Sequence, residues 1–172
     1  HYNYSSLIDL NELQRTNRLT SQDFVEPDEF NLDKFGINLK CPVGIKLEAS
    51  HSGKADFLLQ GIVETRLEQK CRKCLKPVER ALSANLDLLF RSKDSLKGKD
   101  EIEEELQFDW KQGRLDLMVH LSQEIVLHAA AFVECHDACR GFCAGCGNNL
   151  NDLACECPEP PIDSRWDILL NN

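Results

Sequence analysis

Residues 42–49 set Val43, Ile45 and Leu47 between Gly44, Lys46 and Glu48, a period of two that predicts a strand with one buried face. After a turn at SHSG, residues 57–68 repeat the pattern, with Leu59, Gly61, Val63, Thr65 and Leu67 on one face. A third run over 78–90 carries Leu82, Leu86 and Leu88. Consecutive strands with short connections favour an antiparallel meander. The period then changes. Leu117, Leu121, Ile125 and Val126, with Leu127 beside them, form an apolar stripe at helical spacing. It predicts a helix over 117–131, N-capped by Asp116 and packed on the sheet.

The remaining segments are less periodic. Residues 1–40 suggest a short strand at Leu7, Ile8 and Leu10, a short helix over 11–18, and a loop, EPDEFNLDKFG, covering a sheet edge. LQFDW is expected as an edge strand, and residues 92–105 as a solvated charged loop. PEPP breaks the chain before an expected tail helix carrying Trp166, Leu169 and Leu170. The fold class is therefore α+β: an antiparallel β-meander packed by one main helix, with a C-terminal Cys-rich, zinc-ribbon-like module. The expected division is 1–134, including a Cys71/Cys74 knuckle, and 135–172.

Charge narrows the choice of partner. The 172 residues carry a net charge of −9, which disfavours generic binding to a phosphate backbone and favours a basic partner. No stretch has the apolar length of a membrane span, and no charged-then-apolar leader opens the sequence. The cytoplasm is the expected location.

Eight of the nine cysteines fall in close pairs: Cys71 with Cys74, Cys135 with Cys139, Cys143 with Cys146, and Cys155 with Cys157. Tetrahedral zinc commonly takes four thiolates as two such pairs, so one or two structural Zn²⁺ ions are expected. Gly145 and Gly147 suit a tight knuckle whose N–H groups point at sulfur. One grouping joins Cys143, Cys146, Cys155 and Cys157 locally and leaves Cys71, Cys74, Cys135 and Cys139 to clamp sheet to helix. A crossed grouping would set Cys71 and Cys74 with Cys143 and Cys146. Spacing does not choose between them; chain economy favours the first. An odd count and a reducing compartment disfavour a disulfide framework. No helix starts at Cys74, which disfavours a thioredoxin-like motif, while iron–sulfur ligation stays open. Cys41 is expected as a small buried hydrophobe.

Two other groups carry possible chemistry. His120, Glu124 and His128 share a helix face, which suits a metal-dependent or acid–base enzyme, but the His-Glu-x-x-His pattern is absent. Arg66, Lys70, Arg72, Lys73, Lys76 and Arg80 form a basic island within 66–80. It offers either an RNA-phosphate contact or a solvated knuckle whose cations offset thiolate charge.

The segments VETRLEQKCRKCLKPVERAL, LDLMVHLSQEIVLHAAAF, CHDACRGFCAGCGNNLNDLACEC and DSRWDILL resemble the YceD family in order and spacing, over residues 55–170. Cys71 and Cys74 match its knuckle, and Cys135, Cys139, Cys143, Cys146, Cys155 and Cys157 match its C-terminal cluster. HAAAF departs from the many relatives with Leu-Pro there, so a different helix end is expected. The resemblance implies a non-enzymatic ribosome-biogenesis factor supporting accumulation of large-subunit (23S) rRNA. The expected partner is a ribosomal protein or a large-subunit assembly intermediate. The alternative is a zinc-ribbon module binding rRNA directly through 66–80; the third reading is a metal-dependent or redox enzyme.

Overall fold

A computed structural model of the chain describes residues 6–53, 55–96 and 104–158. The chain divides into two compact units. The first comprises His1–Gln69 and Glu79–Ala131; the second comprises Lys70–Val78 and Phe132–Asn172. The knuckle placed in the first domain from sequence thus groups with the C-terminal cysteines. The expected tail helix with Trp166, Leu169 and Leu170 lies outside the described residues, as do residues 97–103 of the charged loop.

The first unit is mixed α+β and mostly sheet. Its elements are β1 (Leu7–Asp9), α1 (Leu10–Thr16), β2 (Arg18–Val25), β3 (Asn38–Leu39), β4 (Val43–Ser52), β5 (Asp56–Lys70), β6 (Pro77–Ser92), β7 (Gln107–Phe108), β8 (Arg114–Asp116) and α2 (Met118–His128). β5 and β6 run past its limits at their knuckle ends. The main sheet has the order β2-β4-β5-β6-β7, and β3 pairs with the far end of β5. The antiparallel pairing of β4 with β5 sets Ile45 opposite Val63 and Leu47 opposite Gly61. One face therefore collects Val43, Ile45, Leu47, Phe57, Leu59, Val63 and Leu67 in the core, as the alternation predicts.

Two features depart from the expected meander. β2 is an eight-residue strand antiparallel to β4, where no strand was expected. It sits at the sheet edge and is exposed except at half-buried Leu19 and buried Val25, with polar Ser21 and Asp23 between them, so little buried-face alternation is there to read. β7 joins β6 in parallel, Gln107 opposite Arg91 and Phe108 opposite Ser92. The chain crosses back before β7, so LQFDW is an edge strand but not part of a meander. α1 falls where the short helix over 11–18 is expected. α1 starts where Asp9 Oδ1 accepts the Glu12 N–H at 3.0 Å, and ends at Asn17, whose φ is 60°.

α2 is shorter than the expected 117–131 helix. Asp116 Oδ1 accepts the Met118 N–H at 2.9 Å, yet the cap position itself is Leu117. Ala129 is extended and ends the helix. Leu117, Leu121 and Ile125 are buried as expected, whereas Leu127 points outward. Phe57 stacks on Phe90 with ring centroids 4.8 Å apart and meets Phe108 edge-on at 4.9 Å, so aromatic contact fixes the sheet centre. No helix among the described residues is long and apolar enough to cross a membrane.

Gly61 is where backbone approach is closest. A Cβ there would collide with the Lys46 carbonyl oxygen and come within 2.8 Å of Leu47 Cδ2. Gly61→Ala should lower stability by about 1–3 kcal/mol through overpacking. An unchanged urea midpoint in this variant would contradict that close approach.

Candidate metal centre

Eight cysteines converge into two groups of four that could hold metal ions. One is Cys71, Cys74, Cys135 and Cys139; the other is Cys143, Cys146, Cys155 and Cys157, and within each group all Sγ atoms lie within 4.8 Å of one another. This is the grouping chain economy favours, not the crossed one. In the first group Cys71 Sγ lies 3.8 Å from Cys139 Sγ, and Cys74 Sγ lies 3.6 Å from Cys135 Sγ. In the second, Cys146 to Cys155 is 3.5 Å and Cys143 to Cys155 is 3.2 Å. A tetrahedral ion with Zn–S bonds of about 2.3 Å needs sulfurs about 3.8 Å apart, so both donor sets are close to a four-thiolate cage.

The two Cys-x-x-Cys segments share one backbone design. The Leu75 N–H donates to the Cys71 carbonyl at 2.9 Å, and the Cys71 N–H donates to the Lys76 carbonyl at 2.8 Å. Four and five residues into the second knuckle, Gly147 and Asn148 make the same bonds with Cys143, at 2.9 and 2.8 Å. Each knuckle needs a left-handed residue after its second cysteine: Leu75 at φ 57° and Gly147 at φ 74°. The glycine in CAGCG is legible from sequence; the same requirement on Leu75 is hidden, because leucine rarely adopts that conformation.

Burial distinguishes the groups. Cys71, Cys74 and Cys139 are buried and form a small core with Val78 and Cys135, while Cys146 and Cys157 are exposed. The backbone helps charge some sulfurs. Burial pushes the Cys71 thiol up, but N–H groups of Cys74, Lys73 and Cys135 outweigh it and bring it down to about 6. The Cys146 N–H, the Cys155 thiol and the Gly145 N–H bring Cys143 down to about 6. Burial, with the neighbouring thiols, pushes Cys135 up to about 12. The thiols of Cys155, Cys146 and Cys143 push Cys157 up to about 12. Each group thus pairs sulfurs whose ionisation the backbone favours with thiols that keep their protons until a cation displaces them.

Asn151 is a residue the sequence reading missed. Its Nδ2 donates to Cys139 Sγ at 3.4 Å and to Asn149 Oδ1 at 2.8 Å, while its Oδ1 accepts the Arg140 N–H at 2.9 Å. It ties a ligand of the first group to the hairpin bearing the second, whose ladder is the Phe142–Asn149 bridge. The run GNNLND was the available signal. Cys41 stands apart in the first unit. It is half-buried rather than buried, with Sγ 3.8 Å from Thr65 Oγ1.

The other candidate groups behave differently. Arg66 pairs with Glu79 at 3.8 Å, Lys73 with Glu134 at 2.9 Å and Lys76 with Asp152 at 2.8 Å. Arg72 also binds Glu134 and lies over the Phe132 ring, 5.5 Å from its centroid. Lys73 first, then Arg72, holds the Glu134 carboxyl below its ordinary range. Lys70 forms no ion pair among the described residues, and Arg80 buries its Nε without a hydrogen-bond partner. His120, Glu124 and His128 do not converge. His120 is buried, edge-on to Phe90, with Nε2 3.1 Å from the Glu105 carbonyl. Glu124 and His128 form a separate pair at 3.4 Å.

A family model described as large ribosomal RNA subunit accumulation protein YceD matches residues 59–171, a span that contains all eight grouped cysteines. The chain belongs to the YceD family. Two relatives carry the name large ribosomal RNA subunit accumulation protein YCED homolog 1, chloroplastic. The one from Arabidopsis thaliana is 24% identical over 155 residues, covering 76% of this chain and 48% of its own length. The one from Zea mays is 25% identical over 153 residues, covering 73% of this chain and 52% of its own length. The chain therefore spans about half the length of these relatives. No solved structure matches it.

Two outcomes follow from the geometry. Gly147→Leu should cost about 1 kcal/mol from left-handed strain, whereas Leu75→Gly should be neutral or stabilising; thermal midpoints that fell equally in both would refute the shared knuckle design. Metal uptake at pH 7.5 should release protons, because Cys135 and Cys157 lie far above that pH, and loading should fail as pH drops through about 6, where Cys71 and Cys143 protonate. The binding enthalpy should then vary with the ionisation enthalpy of the buffer; an invariant enthalpy would count against it.

Proposed function

We propose that this chain is a non-enzymatic ribosome-biogenesis factor that supports accumulation of large-subunit rRNA by binding a ribosomal protein or a large-subunit assembly intermediate in the cytoplasm or a plastid. The observation that carries this reading is the family match over 59–171, within which both four-cysteine groups lie. Zn²⁺ is the proposed ion at each site, and its role is structural. Zinc needs no redox partner and takes four thiolates tetrahedrally, and a site closed by four protein ligands offers no open position to substrate. The scattered placement of His120, Glu124 and His128 likewise supports a role without catalysis.

The net charge of −9 supports a basic partner, with association that is fast and salt-sensitive. Direct rRNA contact through 66–80 is the weaker reading, since Arg66, Arg72, Lys73 and Lys76 each meet a carboxylate. Such exposed pairs are worth little individually, so they would open for a stronger ligand. They nevertheless leave no concentrated positive field to attract one.

The test is mass spectrometry of what co-purifies with the chain from its native cells after gentle lysis. Large-subunit precursors or one ribosomal protein should be enriched and should fall away with added salt; recovery of the chain with nothing ribosomal would overturn the reading. Native mass spectrometry should show two zinc ions. Cys143→Ser should remove one and loosen residues 140–157. Cys71→Ser should remove the other and lower the thermal midpoint further, because the first site joins segments 61 residues apart and the second joins segments nine apart.

A further inference from the structure

α2 carries apolar side chains beyond its buried face, with Val126 half-buried against the core and its neighbours turned outward. Val119, Val126 and Leu127 stand at i, i+7 and i+8, and Leu127 is 74% and Val119 52% exposed. Facing them, the turn Asp33–Phe35 holds up Phe35, itself 50% exposed, between buried Leu32 and left-handed Gly36. The space between is a groove of about 770 Å³, within the first unit, floored by Leu32, Leu88, Met118 and Val126. Single exposed apolar side chains are ordinary, but apolar residues from two elements converging on one groove mark a binding surface.

The charge around this groove is mostly negative. Glu29 and Glu124 line it, and Asp28 and Asp33 lie on the same turn segment as Glu29 and Phe35. Glu105 reaches Gln123 of the lining at 2.6 Å. The opposing cation on the lining is Lys34, whose ammonium lies over the Phe35 ring, 4.9 Å from its centroid. His128 beside Glu124 adds charge only when protonated.

We propose that this groove receives a basic amphipathic helix from a partner protein, its apolar stripe on Val119, Val126, Leu127 and Phe35 and its Lys and Arg residues against the acidic rim. The backbone of α2 is bonded within the helix, so the wall offers no ladder to an extended strand. An occupant must satisfy its own backbone, as a helix does. RNA would bring phosphate to carboxylates, and a second copy of this acidic chain would bring like charge to like charge. The inference rests on the biogenesis reading for the partner's identity alone, and it deepens that reading by naming the surface and the chemistry that fits it.

The test uses the whole chain and a fluorescein-labelled Leu/Lys amphipathic helix of about five turns. Controls are a scrambled peptide of the same composition and a Leu/Glu helix. Anisotropy titrations should show binding of the Leu/Lys helix that weakens with salt, with both controls at least about tenfold weaker. The double variant Val119→Gln, Leu127→Gln changes only outward-facing side chains. It should keep its circular dichroism and thermal midpoint and lose about tenfold or more in affinity. Unchanged affinity would overturn the proposal, as would a wild-type dimer in sedimentation that the double variant disperses.

Repeating the gentle-lysis co-purification with the double variant separates the two readings. Ribosomal enrichment lost in the variant supports both. Enrichment equal in wild type and variant removes the groove and leaves the biogenesis reading. Groove-dependent peptide binding with no ribosomal enrichment in the wild type keeps the groove and removes that reading.

Discussion

Four sulfurs within 4.8 Å cannot all carry charge unless something positive lies among them. Each cysteine group is poised on that constraint. Backbone N–H groups draw Cys71 and Cys143 down to about 6, and the crowding and burial that follow drive Cys135 and Cys157 up to about 12. A divalent cation removes the conflict in one step, and that is the physical reason to place one at each site. Both groups lie in the second unit, whose buried cluster among the described residues is Cys71, Cys74 and Cys139 with Val78 and Cys135 packed on them. Small modules with so little apolar core depend on metals for their folding energy.

Chain topology adds a second dependence. The second unit is assembled from two stretches separated in sequence by residues 79–131 of the first. Where the chain leaves the first unit, Gln69 Nε2 donates to the Ala130 carbonyl at 2.9 Å, so the two exits start side by side. Inside the second unit the Arg72 N–H donates to the Val133 carbonyl at 2.8 Å, and Glu134 gathers Arg72 and Lys73. The first cysteine group closes this crossing. The second group sits on a local hairpin and adds only to its own loop. One backbone design thus serves two tasks, long-range closure and local turn.

The sequence showed the parts that repeat with a clear period or a fixed spacing. β4 and β5 alternate strictly because one face is buried, and the four cysteine pairs are close enough to read by eye. β2 was invisible because Leu19 and Val25 are its only inward apolar residues, with polar Ser21 and Asp23 between them, too few to show a period. The parallel pairing of β7 was invisible because two residues carry no direction signal. Leu75 concealed its left-handed backbone behind an ordinary side chain, and Asn151 looked like one more polar residue in a loop. His120, Glu124 and His128 have the spacing of one helix face, but helical spacing alone does not say which members are buried. His120 went to the core and the other two stayed at the surface.

Charge gives the last step. Formal net charge treats the chain as uniform, yet the structure sorts it. The cations of 66–80 are largely engaged near the knuckle by Glu79, Glu134 and Asp152, where they also lie beside thiolates that need compensation. Acidic residues around α2 and the Asp33–Phe35 turn border open apolar surface. The basic segment that drew attention in the sequence thus stabilises its own neighbourhood, and the acidic surplus is presented where a partner has apolar area to bury. Electrostatics brings such a partner in and selects its sign; the apolar groove supplies the contact area that holds it. For an acidic chain of this family the binding argument therefore runs through protein before it runs through RNA.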